Sequence, residues 1–202
     1  MTARSVLVVL FDGFELLDVF GPVGLLSKVP DLTVTYLGPS AGPVPSSQGG
    51  QVVAELGYAA APQPDIVLVP GGAGTRTLAH DAVLLAWLHD YAVDAELVAS
   101  VCTGSALLAA AGLLEGYRAT SNKRAFGWAS SFGDTVEWVP QARWVHDRDR
   151  WTSSGVAAGM DMTAALIGDL AAPELAREIA WRIELEVHED AQWDPYAAPL
   201  GS

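Results

Sequence analysis

The sequence predicts a three-layer α/β sandwich with a mostly parallel central sheet. Short β-branched apolar runs alternate with helix-length segments through most of the chain, the pattern of strands joined by crossover helices. Runs such as 5–11 and 65–69 are apolar without the period-2 alternation of a half-exposed strand, so they read as strands covered on both faces. Several of these runs end in turns of small residues, where the backbone can approach a ligand.

In chain order, 5–11 is the first strand and Asp12-Gly13 its turn. A helix over 14–29 carries Leu16, Leu17, Phe20, Val23, Leu25 and Leu26 at helical spacing, and Asp18 lies in its first half. A disturbance is expected at Gly21-Pro22, because proline removes a donor inside a helix. Residues 32–37 form a second strand, 38–50 read as loop from their Gly, Pro and Ser content, and 52–56 as a short strand. The strand over 65–69 runs into Pro70-Gly71-Gly72-Ala73-Gly74. That string lacks the Lys-Ser/Thr of a phosphate loop and the spacing of a dinucleotide fingerprint. A helix follows over 82–92, then a strand from Leu97, a break at Cys102-Thr103-Gly104-Ser105, and a helix over 106–111. Residues 118–121 are a short strand, 122–132 a weaker helix, and 136–139 a strand. Residues 143–146 and 150–153 flank Asp147-Arg148-Asp149 as a hairpin. The small-residue turn 154–159 opens a helix over 160–170, and Pro173 starts the last helix, to about Val187. Residues 1–188 read as one domain and 189–202 as an irregular C-terminal tail.

Composition narrows the function. Apolar residues make up 50 % and charged residues 17 % of the 202, a core-rich globular balance with no disorder signature. The net charge of −13 repels a phosphate backbone, which argues against nucleic acid as a partner. A single cysteine excludes an intramolecular disulfide framework, and four histidines without ligand spacing give no expectation of a metal. The N-terminal apolar run is too short for a leader or a membrane span, so the expectation is a cytoplasmic protein with no membrane partner.

In sheets of this kind ligands sit at the carboxyl ends of the strands, which brings together the loops near Asp12, Gly71, Cys102 and Ser121. Cys102 stands on a strand-to-helix turn, where a side chain is lifted clear of the sheet beside free N–H groups. Those groups and the helix dipole favour negative charge, hence a lowered thiol pKa and a bound oxyanion. Taken alone, the pattern also fits a small buried hydrophobe on a core strand.

Several linked segments resemble the ThiJ/PfpI superfamily, whose fold is flavodoxin-like and similar to class I glutamine amidotransferases. They are Phe11-Asp12-Gly13-Phe14-Glu15-Leu16-Leu17-Asp18-Val19-Phe20-Gly21-Pro22, Val69-Pro70-Gly71-Gly72, Val101-Cys102-Thr103-Gly104, 112–120 and 152–161. Within the superfamily they look most like isocyanide hydratase, which adds water to an organic isocyanide to give an N-substituted formamide. The resemblance implies Cys102 as nucleophile and Asp18 as acid/base partner, with N–H groups of Gly72 and Thr103 binding the anion and Val156 packing over the site. Because a carboxylate repels a thiolate, the expectation is a protonated Asp18 beside an ionised Cys102. The resemblance further implies no cofactor, a small-molecule substrate and a homodimer, for which 14–26 offers apolar surface.

The chain departs from the pattern at one loop. Members with protease or amidase activity carry a histidine where this chain has Thr120-Ser121-Asn122-Lys123, and without an imidazole that chemistry loses its base. The hydratase carries His-Trp where this chain has Asn122-Lys123. Asn122 can hydrogen-bond a substrate, and Lys123 or Arg124 can bind an anionic one; a solvated helix start is the other reading. Two alternatives to the hydratase stay open: a ligand or redox sensor of the same fold, and glyoxalase-type hydration of small 2-oxoaldehydes.

Overall fold

A computed structural model describes residues 4–197. Its elements run β1 (Arg4–Val9), α1 (Leu16–Leu26), β2 (Leu32–Gly38), β3 (Gly42–Pro45), β4 (Gln51–Ala54), β5 (Leu56–Gly57), β6 (Ile66–Val69), α2 (Thr75–Leu78), α3 (Ala82–Ala92), β7 (Leu97–Ser100), α4 (Gly104–Ala110), β8 (Arg118–Ala119), α5 (Phe126–Ala129), β9 (Glu137–Trp138), β10 (Trp144–Asp147), β11 (Arg150–Ser153), α6 (Ala158–Leu170) and α7 (Pro173–Arg182).

Among the described residues the main sheet has seven strands in the order β10-β11-β7-β6-β1-β2-β5. All its pairings are parallel except β10 with β11. The central strands β6 and β7 are buried at every position, as their unbroken apolar sequence requires. From β1 the chain crosses through α1 to β2 in one direction, and from β6 through α3 to β7 in the other. Right-handed crossovers in opposite directions put their helices on opposite faces. Accordingly α1, α6 and α7 pack together, and α2 and α3 pack on α4. The direction reverses between β1 and β6, and that switch point opens a crevice at the carboxyl ends of the strands.

Several local expectations differ from the structure; the helix expected over 122–132 is reduced to a 3-10 turn and the four-residue α5. Helix α1 runs unbroken through Pro22. The proline removes only the N–H that would bond the Asp18 carbonyl, and α6 packed alongside supports the turn. Gly21 allows that approach, since a Cβ there would lie 2.9 Å from Met160 Cγ.

The 38–50 stretch, expected to be loop, contains β3, which pairs antiparallel with β4 in a separate hairpin. Pro43 and Pro45 share one parity along β3, so their missing N–H groups fall on the side away from the ladder. The segment 52–56 is correspondingly split between this hairpin and β5 at the edge of the main sheet.

Helix α7 ends at Arg182 rather than near Val187. Glu184 adopts φ 54°, and the Leu185 N–H donates to the Ala180 carbonyl at 2.9 Å, a Schellman stop usually made by glycine. No described helix is long and apolar enough to cross a membrane.

Candidate active site

Cys102 is separated from the end of β7 by Val101 and sits at φ 59°, the left-handed region that non-glycine residues avoid at a cost of about 1–2 kcal/mol. Its backbone is fully engaged. The Cys102 N–H donates to the Ser154 carbonyl at 3.0 Å, and the Ser105 and Ser121 hydroxyls donate to the Cys102 carbonyl at 3.1 and 3.0 Å. Gly104 lets the turn close against β6, since a Cβ there would lie 2.2 Å from the Val69 carbonyl oxygen. The side chain is thereby held at the switch point, and the residue is 7 % exposed.

Asp18 comes to the same place from the first turn of α1 and is fully buried. The Gly71 N–H donates to its Oδ2 at 2.8 Å, while Oδ1 is buried with no hydrogen-bond partner. Burial pushes the Asp18 carboxyl up to about 7; the Gly71 N–H opposes the rise, the Glu15 charge adds to it, and the neighbouring Cys102 thiol opposes it. Burial likewise pushes the Cys102 thiol up to about 12, reinforced by the Asp18 charge. The Thr103 N–H, the Asn122 amide and the Val156 N–H act in the other direction, as donors to the sulfur. The raised carboxyl agrees with the expected protonated Asp18, whereas the raised thiol runs against the lowered one expected from the turn alone. Loss of solvation outweighs the donors around the sulfur, so both groups are pushed toward their neutral, protonated forms.

The other candidate residues converge here as well. Thr103 and Val156 lie beside the sulfur with their backbone N–H groups. The Asn122 Nδ2 donates to Cys102 Sγ at 3.2 Å. Its orientation is fixed, because Oδ1 accepts from the Arg124 and Ala125 N–H groups at 3.0 and 3.1 Å. Gly72 differs from expectation. Its N–H is engaged by Thr103 Oγ1 at 3.1 Å, and that hydroxyl lies 3.1 Å from Thr75 Oγ1. At rest Gly72 thus holds Thr103 in place rather than offering a free donor. Its φ of 132° admits the close approach of 13–15, where a Cβ would lie 2.3 Å from the Gly13 carbonyl oxygen. Lys123 turns away from the sulfur and donates to Thr120 Oγ1 and to the Ala142 carbonyl.

Sequence reasoning missed Gly71, whose N–H holds Asp18; the adjacent glycines of the 70–74 turn gave no sign of which one faces the carboxyl. It missed Ser105 and Ser121, which clamp the elbow carbonyl. It also missed the burial of Arg143 against Asp161, whose Oδ2 accepts from Nε at 2.8 Å and Nη2 at 2.5 Å. A cleft of about 690 Å³ between α6, α7 and the sheet, lined by Trp144, Trp151, Ala164, Ala180 and Leu185, shares no lining residue with the Cys102 site.

A doubly wound sheet with a cysteine on a strained strand-to-helix elbow and a buried carboxyl at its switch point defines a class of α/β proteins built around one thiol. The DJ-1/PfpI family model matches residues 4–169, and the chain belongs to that family. It is 35 % identical over 177 residues to the isonitrile hydratase of Pseudomonas putida, a match covering 87 % of this chain and 75 % of that protein. It is 33 % identical over 181 residues to the HTH-type transcriptional regulator GbdR of Pseudomonas aeruginosa, covering 83 % of this chain and 48 % of the regulator. A crystal structure of a ThiJ/PfpI family protein from Pseudomonas syringae superposes with a TM-score of 0.82 at 29 % identity, covering all of this chain and 80 % of that one.

Proposed function

We propose that the protein is a cofactor-free, cysteine-dependent hydro-lyase that adds water to a small organic isocyanide to give an N-substituted formamide. The observation that carries this reading is the Asp18 carboxyl, one oxygen fixed by Gly71 and the other buried, unpartnered and placed to hold a proton beside Cys102. The similarity to an isonitrile hydratase supports the choice of substrate.

An isocyanide carbon must gain both a nucleophile and a proton. As Cys102 sulfur bonds to that carbon, Asp18 takes the thiol proton and delivers it to the same carbon, giving a thioimidate. Asp18, again a carboxylate, then draws a proton from water as the oxygen adds. Collapse expels the sulfur; one water proton ends on nitrogen, the other returns to the thiol, and the formamide leaves. The Thr103 and Val156 N–H groups and the Asn122 amide surround the sulfur and meet the charge that develops there. With Cys102 only 7 % exposed, the site favours a reacting group of small cross-section, and the linear isocyano group has one.

The reaction needs a reduced thiol, which suits a cytoplasmic enzyme. The exposed Leu17 and Phe20 of α1, at 41 % and 45 %, are the surface we assign to a homodimer. The test is loss of isocyanide absorbance with a simple aryl isocyanide, for the wild type, Cys102→Ala and Asp18→Asn. Turnover by the wild type alone supports the reading, and a folded wild type that turns nothing over overturns it. In that event the similarity to GbdR favours the second reading, a ligand sensor in which the same crevice binds without turnover.

A further inference from the structure

The loop carrying Asn122 is anchored from beneath by a group that the reaction itself does not use. Lys123 is half-buried, and its Nζ donates to Thr120 Oγ1 at 2.8 Å and to the Ala142 carbonyl at 2.5 Å. Burial draws its ammonium down to about 8, and the charge of Asp194 opposes that fall. Asp194, from the segment after α7, is itself buried. Its N–H donates to the Gln141 carbonyl at 2.9 Å, and its Oδ1 lies 3.9 Å from Nη1 of Arg143. Arg143 in turn pairs with Asp161, and its carbonyl accepts the Ser154 N–H at 2.8 Å; the Ser154 carbonyl accepts from Cys102. A half-buried lysine, a buried arginine and two buried carboxyl groups thus underlie both loops that reach the sulfur.

We propose that Lys123 is a positioning residue: by tying the 120–125 turn to the Ala142 carbonyl it holds the Asn122 amide against Cys102 Sγ. The geometry is direct, since Lys123 is the next residue after Asn122 and the Asn122 Oδ1 is committed to the first turn that Lys123 opens. Without the lysine anchor that turn keeps the Thr120 and Ser121 hydrogen bonds at its start but loses the tie at 123, and the 3.2 Å contact to sulfur lengthens.

The inference rests on Cys102 as the reactive group of the proposed reaction, but its test needs no isocyanide. Cys102 is the chain's one cysteine, so alkylation by iodoacetamide at pH 9, followed by intact mass, reports its thiolate alone. Asn122→Ala is expected to slow alkylation about tenfold, one pKa unit of lost thiolate stabilisation. Lys123→Met should slow it by a similar factor, Lys123→Arg should recover most of the rate, and Lys123→Met should add nothing in the Asn122→Ala background. Wild-type or faster alkylation of Lys123→Met, or a loss additive with Asn122→Ala, overturns the proposal. Should Lys123→Met not fold, Lys123→Gln, which keeps a polar end but removes the charge, enters the same cycle with the same expected and overturning outcomes. Loss of hydratase turnover in the wild type would sink the proposed reaction while leaving this coupling measurable.

Discussion

Gly71 holds Asp18 by a single backbone N–H, 2.8 Å from Oδ2, and leaves Oδ1 buried without a partner. Burial of a carboxyl so poorly compensated disfavours its anion, and that imbalance governs how the protein responds to pH.

The first concerns pH and stability. In the unfolded chain Asp18 ionises near its ordinary value of about 4, whereas in the fold it ionises near 7. Below about pH 4 it is protonated in both states and contributes no difference. Between 4 and 7 the unfolded chain ionises first and gains, and above 7 the full penalty applies. Three pKa units set an upper bound of about 4 kcal/mol. Asp18→Asn is therefore expected to melt higher than the wild type at pH 8 and equally at pH 4. Calorimetry at the two values checks it, and an unchanged Tm at pH 8 contradicts it.

The second concerns pH and rate. If the Asp18 carboxylate receives the thiol proton, kcat/KM for isocyanide loss rises with pH through about 7 and then levels, since the base form dominates above that value. Asp18→Asn should lose at least about 100-fold in rate together with the rising limb. A rate that falls across pH 6–8 contradicts a carboxylate base.

Gly71 itself gives the third. A Cβ there would lie 2.6 Å from both the N and Oγ1 of Thr103 and 2.9 Å from Asp18 Oδ2. Gly71→Ala must push the carboxyl away from the elbow, with an expected cost of about 1–3 kcal/mol in stability and about 100-fold or more in rate. Urea titration and steady-state kinetics separate the two effects.

The elbow strain is the fourth. At φ 59°, Cys102→Gly should raise stability by about 1 kcal/mol over Cys102→Ala, although both lack the thiol. Equal melting temperatures would mean that the turn relaxes when the sulfur is gone.

The buried ion pair provides the fifth. Arg143→Met leaves Asp161 at 3 % exposure with its guanidinium partner removed, and loss of about 3–5 kcal/mol is expected in urea unfolding.

Much of this was legible in the sequence because the signals are local. The buried strands β6 and β7, the helix over 82–92 and the small-residue turns at 70–74 and 102–105 are written in contiguous residues. Linked motifs then placed Asp18 and Cys102 in one site although 84 positions separate them, and the switch point between β1 and β6 is what joins them. What escaped was set by distant contacts. The β3–β4 hairpin hides behind Pro43 and Pro45 because proline's meaning depends on which way its nitrogen faces. The end of α7 hides because Glu184 takes a conformation that its identity does not advertise. The raised thiol escaped because burial, which no residue spells out, outweighs the helix start at Cys102.

The positive φ of Cys102 and the buried charge of Asp18 also bear on how the scaffold could be reused. Both are features that the fold tolerates rather than features that hold it together. Variants that discard the proposed chemistry, Cys102→Gly with Asp18→Asn, should therefore be hardier than the parent, a stability–activity trade-off located at two positions. Such a silent protein gives an engineer reserve stability to spend at the carboxyl ends of β1, β6 and β7, where a new set of loops could be grafted without first having to stiffen the frame.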